Sequence, residues 1–417
     1  MPFLSLLDDR AKPKGSRDPL GFELIWTHFG RQVIGNLTTI TGSLSNFAVA
    51  MVGFKWSNDL HGQPPEAADQ QNKVRDAFLR YEQLAAYLRY LGNDNRIMGI
   101  TRVQKRINEQ HSRISFGVDA RFQILSDQAS YGLWGLYSSA MRDAGLITGD
   151  IRQPTSASKA ILERIEHKIG QPQRFIDLYC SDKPVTREEL KPLSKIFNQA
   201  IREKTARNDL MHILMKGGQH NQVQQQLWEI TQAMAEEKTN IAGISRFIEE
   251  IKARSNDSEL EQRLIEIERI ERVLVAANTI FNYCRRKDGA RIDSIAKELR
   301  RYSFRHLYEN ISFEDLRGFL GTRRVDIMQR FFQALKTHDQ EMAVREVLDL
   351  NRLVMELRGG CPWVELENGI TLRVKVASEI AELPDQDNLE KRWDYDYFIA
   401  SYISIASQGL QLQWTTR

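Results

Sequence analysis

Residues 258–287 read SELEQRLIEIERIERVLVAANTIFNYCRRK, and this stretch decides the fold class. Leu260, Leu264, Ile267, Ile270, Leu274, Ala277 and Phe281 recur every three or four residues, which is the period of one helix face. Ser258 and Glu261 have the spacing of a capping box. Glu259, Glu261 and Glu266 stand early and Arg285, Arg286 and Lys287 stand last, matching the helix dipole. Gly289 is placed to end the element. The spacing predicts a helix over 258–287 of about eight turns.

Outward from it the same period dominates. Val74, Phe78, Tyr81, Leu84, Leu88 and Leu91 predict a helix from Pro65 to Tyr90, closed by Gly92-Asn93. Glycines at 30, 35, 42 and 53 divide residues 22–56 into two short buried helices. Thr186 and Glu189 form a second capping box. Further helices are expected over 291–305, 312–320, 324–358 and 395–407. The chain has 417 residues with 41% apolar and 27% charged, and only 11 prolines. That composition predicts a mainly α, multi-helical protein of two or three domains.

One β element interrupts this pattern. PWVELENGITLRVKV (362–376) predicts a hairpin over 363–376. A two-residue Asn-Gly loop would pair Leu366 with Thr371 and mix the faces. A three-residue loop, Glu367-Asn368-Gly369, pairs Leu366 with Ile370 and Val364 with Leu372, keeping one face apolar. The expected turn is type I with a left-handed bulge at Gly369.

Residues 101–171 suggest a winged-helix-like unit: a helical pattern over 126–147 ending in Ala-Gly-Leu-Ile, a short wing, then SASKAILERIEHKI. The organisation expected is an N-terminal arm and helical region (1–100), this unit (101–171), a helical domain carrying the long helix (172–358), and a C-terminal hairpin plus helix (359–417).

The net charge of +3 predicts no general affinity for polyanions, so nucleic-acid contact would need a local patch. Two arginine-rich stretches qualify. Residues 89–121 carry seven cations against three acids, among them Arg102, Lys105 and Arg106. Residues 285–330 carry twelve against seven, including Arg285, Arg286, Lys287, Arg300, Arg301, Arg305, Arg323 and Arg324. Arginine grips phosphate with two donors at once, and Tyr302, Phe304 and Tyr308 are spaced to stack on bases. In the winged-helix-like unit Gln128, Ser130, Ser138 and Arg142 are candidates to reach a groove of double-stranded DNA.

No phosphate loop, dinucleotide fingerprint or nucleophile elbow occurs, so no cofactor is implied. The eight histidines form no metal-binding spacing, and Cys180, Cys284 and Cys361 form no CxxC pair. Glu365, Glu367 and Lys375 on the hairpin are the one group with the composition of a metal-dependent nuclease site. Asp394 and Asp396 are expected in the first turn of the last helix. The longest apolar run, 44–56, is too short to span a bilayer, and the start has no signal-peptide pattern, so a cytoplasmic location is expected.

The segments DPLGFELIWTHFGRQVIGNLTTIT (18–41), ASYGLWGLYSSAMRDAGLI (129–147), RGGCPWVELENGITLRVKV (358–376) and WDYDYF (393–398) resemble an uncharacterised prokaryotic family encoded in phage-defence islands beside helicase and nuclease genes. The resemblance implies a helper subunit of an anti-phage defence or DNA-processing system, with an enzymatic partner. Three functions follow as expectations: a non-catalytic DNA-binding adaptor; a pure protein scaffold using the 258–287 helix and the C-terminal helix; or a divergent nuclease.

Overall fold

The computed structural model describes residues 18–61, 69–109, 113–217, 221–302, 311, 313–374 and 385–416. The chain is mainly helical, with small antiparallel two-stranded sheets. It divides into two compact units. The first joins the described residues up to Gln32 with Asn256–Tyr397, and the second joins Val33–Ser255 with the segment from Phe398 onward. Neither unit is a consecutive block, so each is closed by residues far apart in sequence.

The helix Ser258–Cys284 is the spine of the first unit. Its cap lies one residue before the expected Ser258. The Asp257 carboxylate accepts from the N–H groups of Glu259 (2.8 Å) and Leu260 (3.0 Å), and a charged acceptor stabilises the positive helix end more than a hydroxyl does. The second half is buried on every side, from Val273 through Ala277 and on to Cys284. The helix Gln340–Leu357 packs on it and on Thr322–Lys336. These last two were expected as one element. Asp339 separates them by capping the second, accepting from the Met342 N–H at 2.9 Å.

The hairpin forms with the expected register: Val364 faces Leu372 and Leu366 faces Ile370. The left-handed bulge does not form, since Gly369 is absent from the positive-φ residues. Its role is close approach. A Cβ there would lie 3.1 Å from the Ala290 carbonyl oxygen. Gly289 N–H donates to Ile370 O (2.7 Å) and Ile370 N–H donates to Ala290 O (2.8 Å). The hairpin is thus sewn to the turn that follows the long helix.

In the second unit the helices Leu44–His61 and Gln70–Leu91 pack together. The stripe from Val74 to Leu88 is buried as expected. Gly53 does not break its helix: a Cβ there would meet the Tyr81 ring at 2.5 Å, so glycine permits the crossing. Thr186 and Glu189 form the expected capping box on Arg187–Ala200. The pattern over 126–147 resolves into three short helices, Gln128–Tyr131, Leu133–Leu136 and Ser138–Asp143. The small hairpin Ile147–Thr148/Gln153–Pro154 and the helix Ser156–Ile169 follow. Among the described residues no helix is long and apolar enough to cross a membrane.

The C-terminal helix is Ile399–Leu410, not 395–407. Tyr397 (φ 50°) and Phe398 (φ 64°) are left-handed and stop it from starting earlier, a costly conformation for aromatic residues. The cause lies in the first unit: the buried Glu271 carboxylate accepts from the Tyr397 hydroxyl (2.8 Å), the Tyr395 N–H (3.2 Å) and the Asp394 N–H. Asp394 therefore stands before the helix, where it accepts from Asn278 Nδ2 at 2.8 Å and pairs with Arg392.

Candidate nucleic-acid interface

Most cations of the 285–330 stretch are used inside the first unit. Arg324 is a correction: it is buried, and its guanidinium donates to the carbonyls of Leu20 and Gly21, so it presents nothing to a phosphate. Burial holds its pKa down to about 10. Arg285 lies over the Trp363 ring, 5.1 Å from its centroid, and Arg286 is exposed but also engaged. Lys287 pairs with Glu298 at 3.0 Å. Arg317 bridges Glu314 and Asp326, and Arg330 pairs with Glu346. Arg323 reaches Glu356 at 3.7 Å while staying largely exposed.

Arg301 covers the Tyr302 ring at 5.0 Å, and Tyr302 is buried, so that ring cannot stack on a base. Arg305, Phe304, Tyr308 and Lys375 lie outside the described residues. Of the described cations in this stretch, Lys297 and Arg300, around the end of the helix Ile292–Leu299, are exposed and make no ion pair with any described residue.

The 89–121 stretch is spent in a different way. Arg102 and Arg106 lie one turn apart on the helix Ile100–Asn108 and clamp a loop by its carbonyls. Arg102 donates to Leu125 O (2.7 Å), and Arg106 donates to Phe122 O (2.6 Å) and Arg121 O (2.8 Å). Lys105 points away, exposed.

Gln128 and Ser138 are corrections too. Gln128 is buried, donating to Leu79 O and the Glu82 carboxylate at 2.9 Å each and accepting from Ile124 N–H. Ser138 is buried, donates to Trp134 O and accepts from Arg152 Nε at 2.6 Å. Neither can reach a groove, because short helices around an apolar core turn these polar groups inward to satisfy backbone. Arg142 stays exposed. Arg152 stacks on Trp134 at 3.7 Å, and burial, aided by Arg142, holds its pKa down to about 10.

The rival sites are also used internally. Arg373 pairs with Glu365 at 2.6 Å and Glu367 at 2.8 Å, so a guanidinium occupies the place a metal ion would need. Among the described residues no group of three or more His, Cys, Asp or Glu is placed to hold a metal. Both helices expected to dock a protein partner contribute to the core: the second half of Ser258–Cys284 is enclosed, and Ile399–Leu410 buries Tyr402, Ile403 and Ile405.

The charge left over lies elsewhere in the second unit. Lys191 and Lys195, one turn apart on Arg187–Ala200, line a groove of about 500 Å³ with Arg202, Ser194, Asn198, Gln199, Leu91 and Gly92. No carboxylate lines it. Both lysines are exposed and make no ion pair with any described residue. The buried Asn198 Oδ1 has no hydrogen-bond partner. Charge density along the sequence misses this groove, because Glu188, Glu189 and Glu203 stand among the cations. The spacing 191, 195 is the helical period, so a count by helix face would have paired the two lysines, while Arg202 joins them from the turn after Ala200.

Comparisons with protein-family models, curated proteins and solved structures find no match to this chain.

Proposed function

We propose that the protein is a non-catalytic adaptor that contacts the nucleic-acid backbone and works beside an enzymatic partner, a helicase or nuclease, in a bacterial anti-phage defence or DNA-processing system. One observation carries the nucleic-acid part: Lys191, Lys195 and Arg202 line a groove that contains no carboxylate. Lys191 and Lys195 make no ion pair with any described residue, while Arg202 is only one of three arginines sharing Asp94. Such cations can exchange counterions for phosphates, which is the main source of non-specific affinity. Lys297 and Arg300 offer a further contact in the first unit. The order helix Ser138–Asp143, hairpin, helix Ser156–Ile169 supports the winged-helix-like reading of 101–171. In that reading Arg142 takes the exposed role, with Gln128 and Ser138 holding the core. The defence context rests on the resemblance of the four quoted segments, and a cytoplasmic location goes with it.

The test is binding of a 30-base-pair duplex across a salt series, read by fluorescence anisotropy. Each phosphate contact contributes about −0.9 to the slope of log affinity against log salt. The Lys191→Ala/Lys195→Ala variant should flatten the slope by about 2. A salt-independent response, or an unchanged slope in that variant, removes the groove from the proposal. Capture of neighbouring gene products from nuclease-treated lysate tests the partner. A complex that survives there, from a protein that binds no DNA, would make it a scaffold instead.

A further inference from the structure

Asp94 is buried and receives three guanidinium groups. Arg89, itself buried, holds it at 2.9 Å and uses up its charge. Arg202 stands at 3.5 Å and Arg96 at 3.9 Å, both substantially exposed, with no other ion pair to a described residue. Three positive charges thus meet one negative, leaving a local excess of two. Burial pushes the Asp94 carboxyl up, but Arg89 outweighs it and holds the group below the ordinary range, so the carboxylate stays ionised.

On the Arg96 side lies a second groove, of about 760 Å³, in the size range of small-ligand sites. No carboxylate lines it. Its lining combines polar Asn95, Arg96 and Ser401 with apolar Ile40, Ile97 and Trp414. Ser401 is 3% exposed, and its hydroxyl makes no hydrogen bond with any described residue. Ile40 is 47% exposed, unusual for isoleucine.

We infer that this groove binds a small phosphate monoester with an apolar ring, a molecule of the nucleoside monophosphate class. The phosphate meets Arg96, with Ser401 or Asn95 as neutral donors, and the ring lies on Ile40, Ile97 and Trp414. A phosphomonoester carries a charge of about −1.5 to −2 near neutral pH. Arg96 is the cation that lines the groove, and Arg202, which shares Asp94 with it but lines the other groove, adds attraction at longer range. Arginine's planar fork suits its oxygens. The same chemistry arises from a free nucleotide or from the 5′-phosphorylated end of a strand.

The experiment is calorimetric titration of the whole protein with adenosine monophosphate, adenosine, and a 5′-phosphorylated trinucleotide. Adenosine monophosphate should bind, adenosine at least tenfold more weakly. The trinucleotide binding tighter than the mononucleotide assigns the strand end; the reverse assigns the free nucleotide. Arg96→Ala, at an exposed position, should weaken the mononucleotide tenfold or more while the melting temperature holds, with partial recovery in Arg96→Lys. Lys191→Ala/Lys195→Ala should leave mononucleotide binding unchanged, which separates this site from the duplex-binding groove. Equal binding of adenosine, no binding of any probe, or an unaffected Arg96→Ala variant overturns the inference.

Discussion

The Glu82 carboxylate, wholly enclosed in the second unit, accepts the backbone N–H of Leu133 at 2.6 Å and so caps a helix far from it in sequence. Its other oxygen accepts from Gln128 Nε2 at 2.9 Å. Burial pushes its pKa up to about 7, despite those two hydrogen bonds. Glu271, in the first unit, is likewise pushed up to about 7 by burial.

Both shifts have the same sign. The folded pKa lies above the ordinary value of 4.5, so the folded state binds the proton more tightly. The stabilisation is complete below about pH 4.5 and is lost as pH rises through 7. Each group can contribute about 3 kcal/mol to this slope. Urea midpoints should therefore be higher at pH 5.5 than at pH 8, and Glu82→Gln should flatten the difference. A rise in stability from pH 5.5 to 8 in the wild type would contradict the assignment.

Glu271→Ala should cost about 3 kcal/mol or more, because three donors lose one shared buried acceptor. Tyr397 and Phe398 would then lose the anchor that holds them left-handed. Backbone amide exchange should rise over 394–400 before it rises in the Ser258–Cys284 spine. Uniform protection across both segments would argue against that anchor.

Gly369 separates two accounts of its hairpin. A left-handed bulge would tolerate asparagine, whereas close approach to Ala290 O crowds any Cβ. Gly369→Ala and Gly369→Asn should therefore destabilise alike, by about 1–2 kcal/mol. Rescue by asparagine alone would restore the bulge.

Arg324→Ala should destabilise the fold by about 2–3 kcal/mol, since it leaves the carbonyls of Leu20 and Gly21 without their donor. It should not change the salt slope of duplex binding. Arg300→Ala should do the opposite, with stability within about 0.5 kcal/mol of wild type and a shallower slope. Paired chemical denaturation and anisotropy on the two variants decide this.

Helix positions and strand register were legible because they depend on local period. Val364, Leu366, Ile370 and Leu372 can share one apolar face in only one parity, and the observed pairing follows it. The Thr186 box was legible for the same reason, since both partners lie within one turn. The Gly369 bulge was misread because its cause, the Gly289–Ala290 backbone, is about eighty residues away. Arg324 was misread as surface because linear density carries no information about burial, and several arginines that do lie at the surface are already engaged by partners the sequence does not place beside them. Arg324 and Arg300 look alike in sequence, yet one meets carbonyls in a core and the other meets solvent.

By itself, then, the sequence determined the mainly helical class, the apolar faces, the hairpin register and the absence of familiar nucleotide and nucleophile motifs. These follow from spacing within a few residues, which backbone geometry converts directly into faces. The tertiary structure decided how chain ends and middle combine into two units, which cations remain at the surface, and that Asp94 gathers three arginines. Those outcomes depend on desolvation and on partners brought together from distant segments, and a charge keeps its external reach only where folding supplies no opposite charge beside it.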